Sequence, residues 1–186
     1  MSRKKLILAI TFVSIALLIL YVWSPWDALR YHGDGKFSDR GFFSYPRYLV
    51  TFSDISLDEN SENHFHFRGL PNEEMSLMLY VKDKRIDGWA DRSPLEHLPV
   101  TIEAVLTDDK GLVSCRALGR PASSNENGIW VLMSDGGAAY WHRKCNFVQV
   151  HRNRTYDLAI RVTDVGQSGE KVVVTPELTG GGLELP

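Results

Sequence analysis

An all-β domain carried behind one N-terminal transmembrane helix is the architecture this sequence predicts. Three observations predict it. An uncharged apolar run follows a basic tip, apolar residues alternate with polar ones along much of the chain after Tyr48, and turn residues punctuate the alternating stretches.

The run from Leu6 to Trp23 is 18 residues without a charge. As a helix it rises about 27 Å, enough for the hydrocarbon core of a bilayer. Backbone polar groups inside lipid must bond within their own helix, which fixes the structure such a run takes there. Arg3, Lys4 and Lys5 precede it, and the nearest charges beyond it are Asp27 and Arg30. That asymmetry puts the N-terminus in the cytoplasm and the rest across the membrane. A cleaved secretory signal has a shorter apolar core and a small-residue cleavage site. This run ends in Leu-Tyr-Val-Trp-Ser-Pro-Trp, which offers none. The expected division is therefore a cytoplasmic tip at 1–5, a signal anchor at 6–23, a spacer at 24–46 and an exported domain at 47–186. The expected location is the cytoplasmic (inner) membrane, single-pass, with the C-terminal domain periplasmic or extracellular.

Composition narrows the functional classes. Hydrophobic residues are 44% and charged residues 24%, ordinary values for a folded domain. Three of the 21 basic residues, and none of the 23 acidic ones, lie in the first 23 positions, so the exported part is net −5. An acidic body with no basic stripe is not a nucleic-acid binder. Cys115 and Cys145 both lie beyond the anchor. In an oxidising compartment they either pair as a disulfide or stay as two buried thiols.

Residues 24–46, with Gly33, Gly35 and Gly41, break any periodicity, but their aromatics can pack on the domain. "YLVTF" then places Tyr48, Val50 and Phe52 on one face. "MSLMLYV" gathers Met75, Leu77, Leu79 and Val81. "LPVTIEAVLT" aligns Leu98, Val100, Ile102, Ala104 and Leu106, and "TYDLAIRVTD" aligns Tyr156, Leu158, Ile160 and Val162. One apolar and one wet face is the mark of antiparallel sheets. "TDDKGL" (107–112), "SDGGA" (134–138) and "DVGQSGEK" (164–171) read as turns. About nine short strands at this spacing predict two packed antiparallel sheets, of immunoglobulin-like or jelly-roll type, with a closed barrel as the alternative. "NRTYDLAIRVTD" (153–164) resembles the turn-then-Tyr strand of immunoglobulin-like sandwiches. The resemblance implies a sandwich in which the Tyr156 hydroxyl bonds back to the turn before it.

Two clusters carry possible chemistry. In "NHFHFRGLP" His64 and His66 sit at i and i+2, so on a strand both imidazoles point the same way and can share one metal ion. His97, His142, His151 or a carboxylate would have to complete the set. The bland reading puts Phe65 and Phe67 in the core and the two histidines on the wet face. In "WVLMSDGGAAYWHRKC" a hairpin gathers Trp130, Tyr140, Trp141, His142 and Arg143. Aromatics beside cations stack on sugars or anchor protein interfaces, unless register turns them into the core. An Asp135-Gly136 loop pairs Trp130 with Trp141; a Gly136-Gly137 loop pairs Trp141 with Leu132.

No G-x-S-x-G, H-E-x-x-H, P-loop or G-x-G-x-x-G is present, and "LTGGGLELP" (178–186) lacks the following helix a phosphate loop needs. No enzyme activity and no cofactor are expected. Asn153-Arg154-Thr155 is an N-glycosylation acceptor if the source is eukaryotic. The expected function is an anchored envelope protein whose exported domain binds a protein partner. The alternative is a glycan or small-ligand module using the Trp/Tyr patch, and a metal-dependent enzyme ranks last.

Overall fold

The computed structural model describes residues 11–15, 30–41, 44–82, 93–122, 129–133, 138–166 and 171–182. Leu6, Trp23, the 134–137 loop and the 183–186 tail lie outside the described residues. Residues 11–15 are helical and exposed. Among the described residues no helix is long and apolar enough to cross a membrane.

The domain is all-β. Its strands are β1 (His32–Gly33), β2 (Lys36–Asp39), β3 (Tyr48–Thr51), β4 (Ile55–Ser56), β5 (Ser61–Arg68), β6 (Glu74–Val81), β7 (Thr101–Asp108), β8 (Val113–Ala122), β9 (Ile129–Met133), β10 (Ala139–Trp141), β11 (Val148–Gln149), β12 (Thr155–Thr163) and β13 (Val173–Gly180). A four-residue helix, Ser93–Glu96, precedes β7.

These strands do not form two separate sheets. One curled path runs β1-β5-β12-β7-β8-β9-β10-β6-β13-β3-β2, with β4 and β11 paired at its side. The two halves join through β8. Its leading residues pair antiparallel with β7, from Val113 opposite Thr107 to Gly119 opposite Ile102. Its last three residues, Arg120, Pro121 and Ala122, pair parallel with Ile129, Trp130 and Val131 of β9. A ten-residue strand is long enough to leave one half and enter the other, as strands do at the corners of folded-over sheets. One continuous curled sheet therefore stands where two separate sheets are expected from sequence.

The edges of that path, β1 and β2, are separated by only Asp34 and Gly35. Two residues span about 10 Å at most between flanking strands, so the sheet curls until its edges come together. Glycine is required at this seam. Gly33 has φ +123°, and a Cβ there would sit 2.2 Å from the His66 carbonyl oxygen. Aromatic rings close the seam from inside. Tyr31 stacks on Phe37 at 5.4 Å and on Phe67 at 6.3 Å, Phe37 meets Tyr48 at 5.9 Å, and Phe52 meets Phe65 at 4.8 Å. Residues 31–39, within the stretch read as spacer, thus contribute both edge strands and two core-packed rings.

The alternating faces sit as their periodicity requires. Val50, Leu77, Leu79, Ile102, Ala104, Leu158, Ile160 and Val162 are all buried. Burying a residue such as leucine or isoleucine stabilises by about 1.5–3 kcal/mol before entropy is subtracted. The β7–β8 turn is held by Asp108, whose Oδ1 accepts the main-chain N–H groups of Lys110 and Leu112, both at 2.9 Å. Asp39 and Arg47 form a two-pronged pair beside the seam, at 3.0 Å for each contact.

Candidate functional site

Phe65 and Phe67 point inward on β5, leaving Glu62, His64 and His66 on the outer face. The two imidazoles lie nearly parallel, 6.3 Å apart. Asp157 on β12, directly opposite His66, lies 3.4 Å from His64 Nδ1 and 3.7 Å from His66 Nδ1. His64 Nε2 is 3.2 Å from Glu62. This row continues as an ionic ladder over four strands. Arg161 contacts Glu62 at 2.9 Å and Glu103 at 3.6 Å, and Arg116 contacts Glu103 at 2.6 Å. Arg161, and then His64, hold the Glu62 carboxyl below the usual carboxylate range. Among the described residues no group of three or more His, Cys, Asp or Glu is placed to hold a metal ion. Exposed ion pairs of this kind contribute little each.

The aromatic hairpin adopts neither of the two registers considered from sequence. Trp141 pairs with Val131, Tyr140 with Leu132 and Ala139 with Met133. An odd-length loop explains the shift: five residues, 134–138, separate the paired positions. Even-numbered residues then face inward. Trp130 and Tyr140 are completely buried and His142 nearly so, while Trp141 is half-buried and Arg143 exposed. The polar atoms of the buried rings are satisfied internally. Trp130 Nε1–H donates to the Ile102 carbonyl at 3.0 Å, and the Tyr140 hydroxyl donates to the Leu95 carbonyl at 2.6 Å. Such bonds are what makes a buried Trp or Tyr tolerable.

His142 packs edge-on against Trp130, with centroids 5.3 Å apart. Its Nδ1 accepts the Lys144 N–H at 3.1 Å and caps the turn Arg143–Cys145. The neutral ring therefore carries its proton on Nε2. Among the described residues that buried nitrogen completes no hydrogen bond. Burial first, and the Lys144 charge second, lower the His142 pKa. The capped turn delivers Cys145 to Cys115 on β8, and the two form a disulfide with Cα atoms 5.2 Å apart.

Two open, charged clefts lie at opposite ends of β5. At its start, Asp54, Asp58, Glu59 and Lys171 border a cleft of about 450 Å³ with Ser61 and Asn63. At its end, Arg30, Arg68, Arg152 and Arg154 border another of about 450 Å³ with Asn153 and Thr155. An eight-residue strand separates the two ends by about 23 Å. Arg68 pairs with His32 on one side and Thr155 on the other. The turn carrying Arg152 and Arg154 is fixed by three bonds. Arg152 N–H donates to Asn72 Oδ1 at 2.7 Å, Arg154 N–H to the His151 carbonyl at 3.2 Å, and His151 N–H to the Tyr156 hydroxyl at 2.8 Å. The last is the Tyr-to-turn bond that the immunoglobulin-like resemblance implies. Arg154 also reaches Asp109 at 3.2 Å and Asp108 at 3.6 Å.

The arginine cleft escapes sequence reading because its members come from three distant segments. The one local signal is Arg152-Asn153-Arg154 directly before the Tyr156 strand, where the turn must project its side chains outward. No family model, no curated protein and no solved structure matches this chain, which leaves the chemistry of its surfaces as the guide to function.

Proposed function

We propose that the chain is a single-pass, membrane-anchored envelope protein whose exported β domain is a binding module for a protein partner. The observation that carries this reading is the polarity of the domain. The arginine cleft lies where the chain arrives from the apolar run, with Arg30 seven residues beyond Trp23, and the acidic cleft lies at the far end. A tethered body of this kind turns its basic end to the membrane and offers Asp58 and Glu59 outward to a partner with a basic surface. The Cys115–Cys145 disulfide supports export to an oxidising compartment. A single core cluster enclosed by the curled sheet supports the sandwich description as a matter of layers. The glycan alternative keeps only Trp141, beside Arg143, as an accessible stacking surface.

The test has two arms. Protease added to spheroplasts should digest the domain, and the mature protein should retain residue 6. Cross-linking of the full chain in native membranes should capture one recurring partner from wild type and lose it in an Asp58→Lys/Glu59→Lys variant of unchanged melting temperature. Capture that is indifferent to those charges removes the distal end as the binding surface.

A further inference from the structure

Four arginines, Arg30, Arg68, Arg152 and Arg154, line one cleft, and their charges are only partly answered by the protein. Asp108 and Asp109 pair with Arg154. Among the described residues Arg30 and Arg68 have no carboxylate partner, and both are exposed. Like charges gathered on a surface repel one another and favour an anion that neutralises them. Guanidinium is the side chain best shaped for phosphate oxygens, which it meets with two parallel N–H donors.

The backbone fixes this gathering. Gly69, buried at φ +82°, lies against Arg30 so closely that a Cβ would sit 2.0 Å from the Arg30 carbonyl oxygen. The incoming chain is therefore pressed onto the end of β5, beside Arg68. On the opposite wall the 151–154 turn is pinned by Asn72 and Tyr156. Donors mounted on fixed backbone lose less freedom on binding. Thr155 and Asn153 add neutral hydrogen-bond donors to the lining. The volume, about 450 Å³, is of the size that admits a phosphate with a small attached group.

We infer that this cleft binds a phosphate-type oxyanion: the phosphodiester of an anionic lipid headgroup, or free phosphate. The lipid source rests on the anchored reading, under which the seven Cα-to-Cα steps from Trp23 to Arg30 span at most about 24 Å and keep the cleft within reach of the headgroups. The cleft itself does not depend on that reading.

The experiment uses the full chain in uncharged detergent, titrated with inorganic phosphate, with short-chain phosphatidylglycerol and with short-chain phosphatidylcholine. Binding is followed through the arginine Nε–H resonances. Wild type should bind phosphatidylglycerol with shifts at Arg68 and Arg154, and bind phosphatidylcholine at least fivefold more weakly because its choline is repelled. Binding of inorganic phosphate as well assigns the site to phosphate in general; binding of the phosphodiester alone assigns it to lipid. Arg30→Glu/Arg68→Glu should weaken binding at least tenfold. Single Arg30→Gln and Arg68→Gln variants, which add no repulsion, should each weaken it about threefold while melting like wild type. Absence of binding by both anionic probes, equal binding of the two lipids, or neutral variants that bind like wild type would overturn the inference. Because the probes are soluble, a cleaved N-terminus would remove the anchor and leave this result standing.

Discussion

The His151 main-chain N–H donates to the Tyr156 hydroxyl at 2.8 Å, tying the turn before β12 to the strand that follows it. The Tyr156 ring is buried against Phe67, at 6.0 Å, so the hydroxyl is held from below by the core. Replacing Tyr156 with Phe keeps the ring and deletes the acceptor. The expected loss is about 1 kcal/mol of unfolding free energy, the usual net worth of such a bond. Urea unfolding reads the loss, and faster hydrogen exchange at the His151 amide localises it. An unchanged exchange rate at His151 would show that the turn holds without the bond.

The Cys115–Cys145 disulfide closes a loop of 30 residues and lies in the core, with Cys145 fully buried. In the chain-entropy picture, a loop of this length stabilises by about 3–4 kcal/mol. The Cys115→Ser/Cys145→Ser variant should lose that much in denaturant titration. In wild type, reductant should open the bond only as fast as the domain unfolds. Rapid reduction under native conditions would contradict the burial.

His142 contributes a pH dependence of stability. Its folded pKa lies below the ordinary 6.5, because burial, and then Lys144, disfavour the charged ring. Below pH 6.5 the unfolded chain takes up a proton that the folded chain refuses. The unfolded state then binds more protons, so stability falls as pH falls. Protonation would also convert Nδ1 from acceptor to donor and break the cap on Lys144. His142→Gln removes the titration. Its stability should be flatter than that of wild type between pH 6.5 and 5, measured by urea midpoints. Parallel curves would place the pH sensitivity elsewhere.

The seam residues set where the domain begins. Asp34 acts as an extension of β1: its N–H donates to the His66 carbonyl at 2.8 Å, and its carboxylate accepts the His66 N–H at 2.8 Å. A fragment starting at residue 47, the boundary suggested by composition, would lack β1, β2, Tyr31 and Phe37. It would uncover the end of β5 at His66, Phe67 and Arg68, lengthening an unpaired edge that can template pairing with other chains. Residues 30–186 should elute as a discrete species with a cooperative melt, and residues 47–186 should aggregate or melt at least 10 °C lower. Equal melts would show that the seam is dispensable.

The sequence legibility of this fold varies with the range of the interaction. Tyr156, Leu158, Ile160 and Val162 reach the core because a two-residue period needs only neighbours on one strand, and the Tyr156 bond spans five residues. Trp130 and Tyr140 are legible as a cluster, with core and surface both left open. Their faces depend on a loop whose length shifts the register by a single position, and each shift inverts every side chain. The union of two limbs through β8 left no local mark, since it depends on which strands meet its two ends. The arginine cleft is the same case for function: Arg30, Arg68 and Arg154 meet only after β1, β5 and β12 have aligned.

The placement of β1 and β2 has a mechanical consequence. Both edges of the curled sheet are made by the segment nearest the N-terminal run, so a pull on that run loads the outermost attachments first. The backbone bonds at His32–Gly33 would break in succession, like a zipper, before shear reached β12 or β7 in the interior. Under the proposed anchoring, tension along the N-terminal run would therefore unclasp the seam while the disulfide-stapled centre stayed whole.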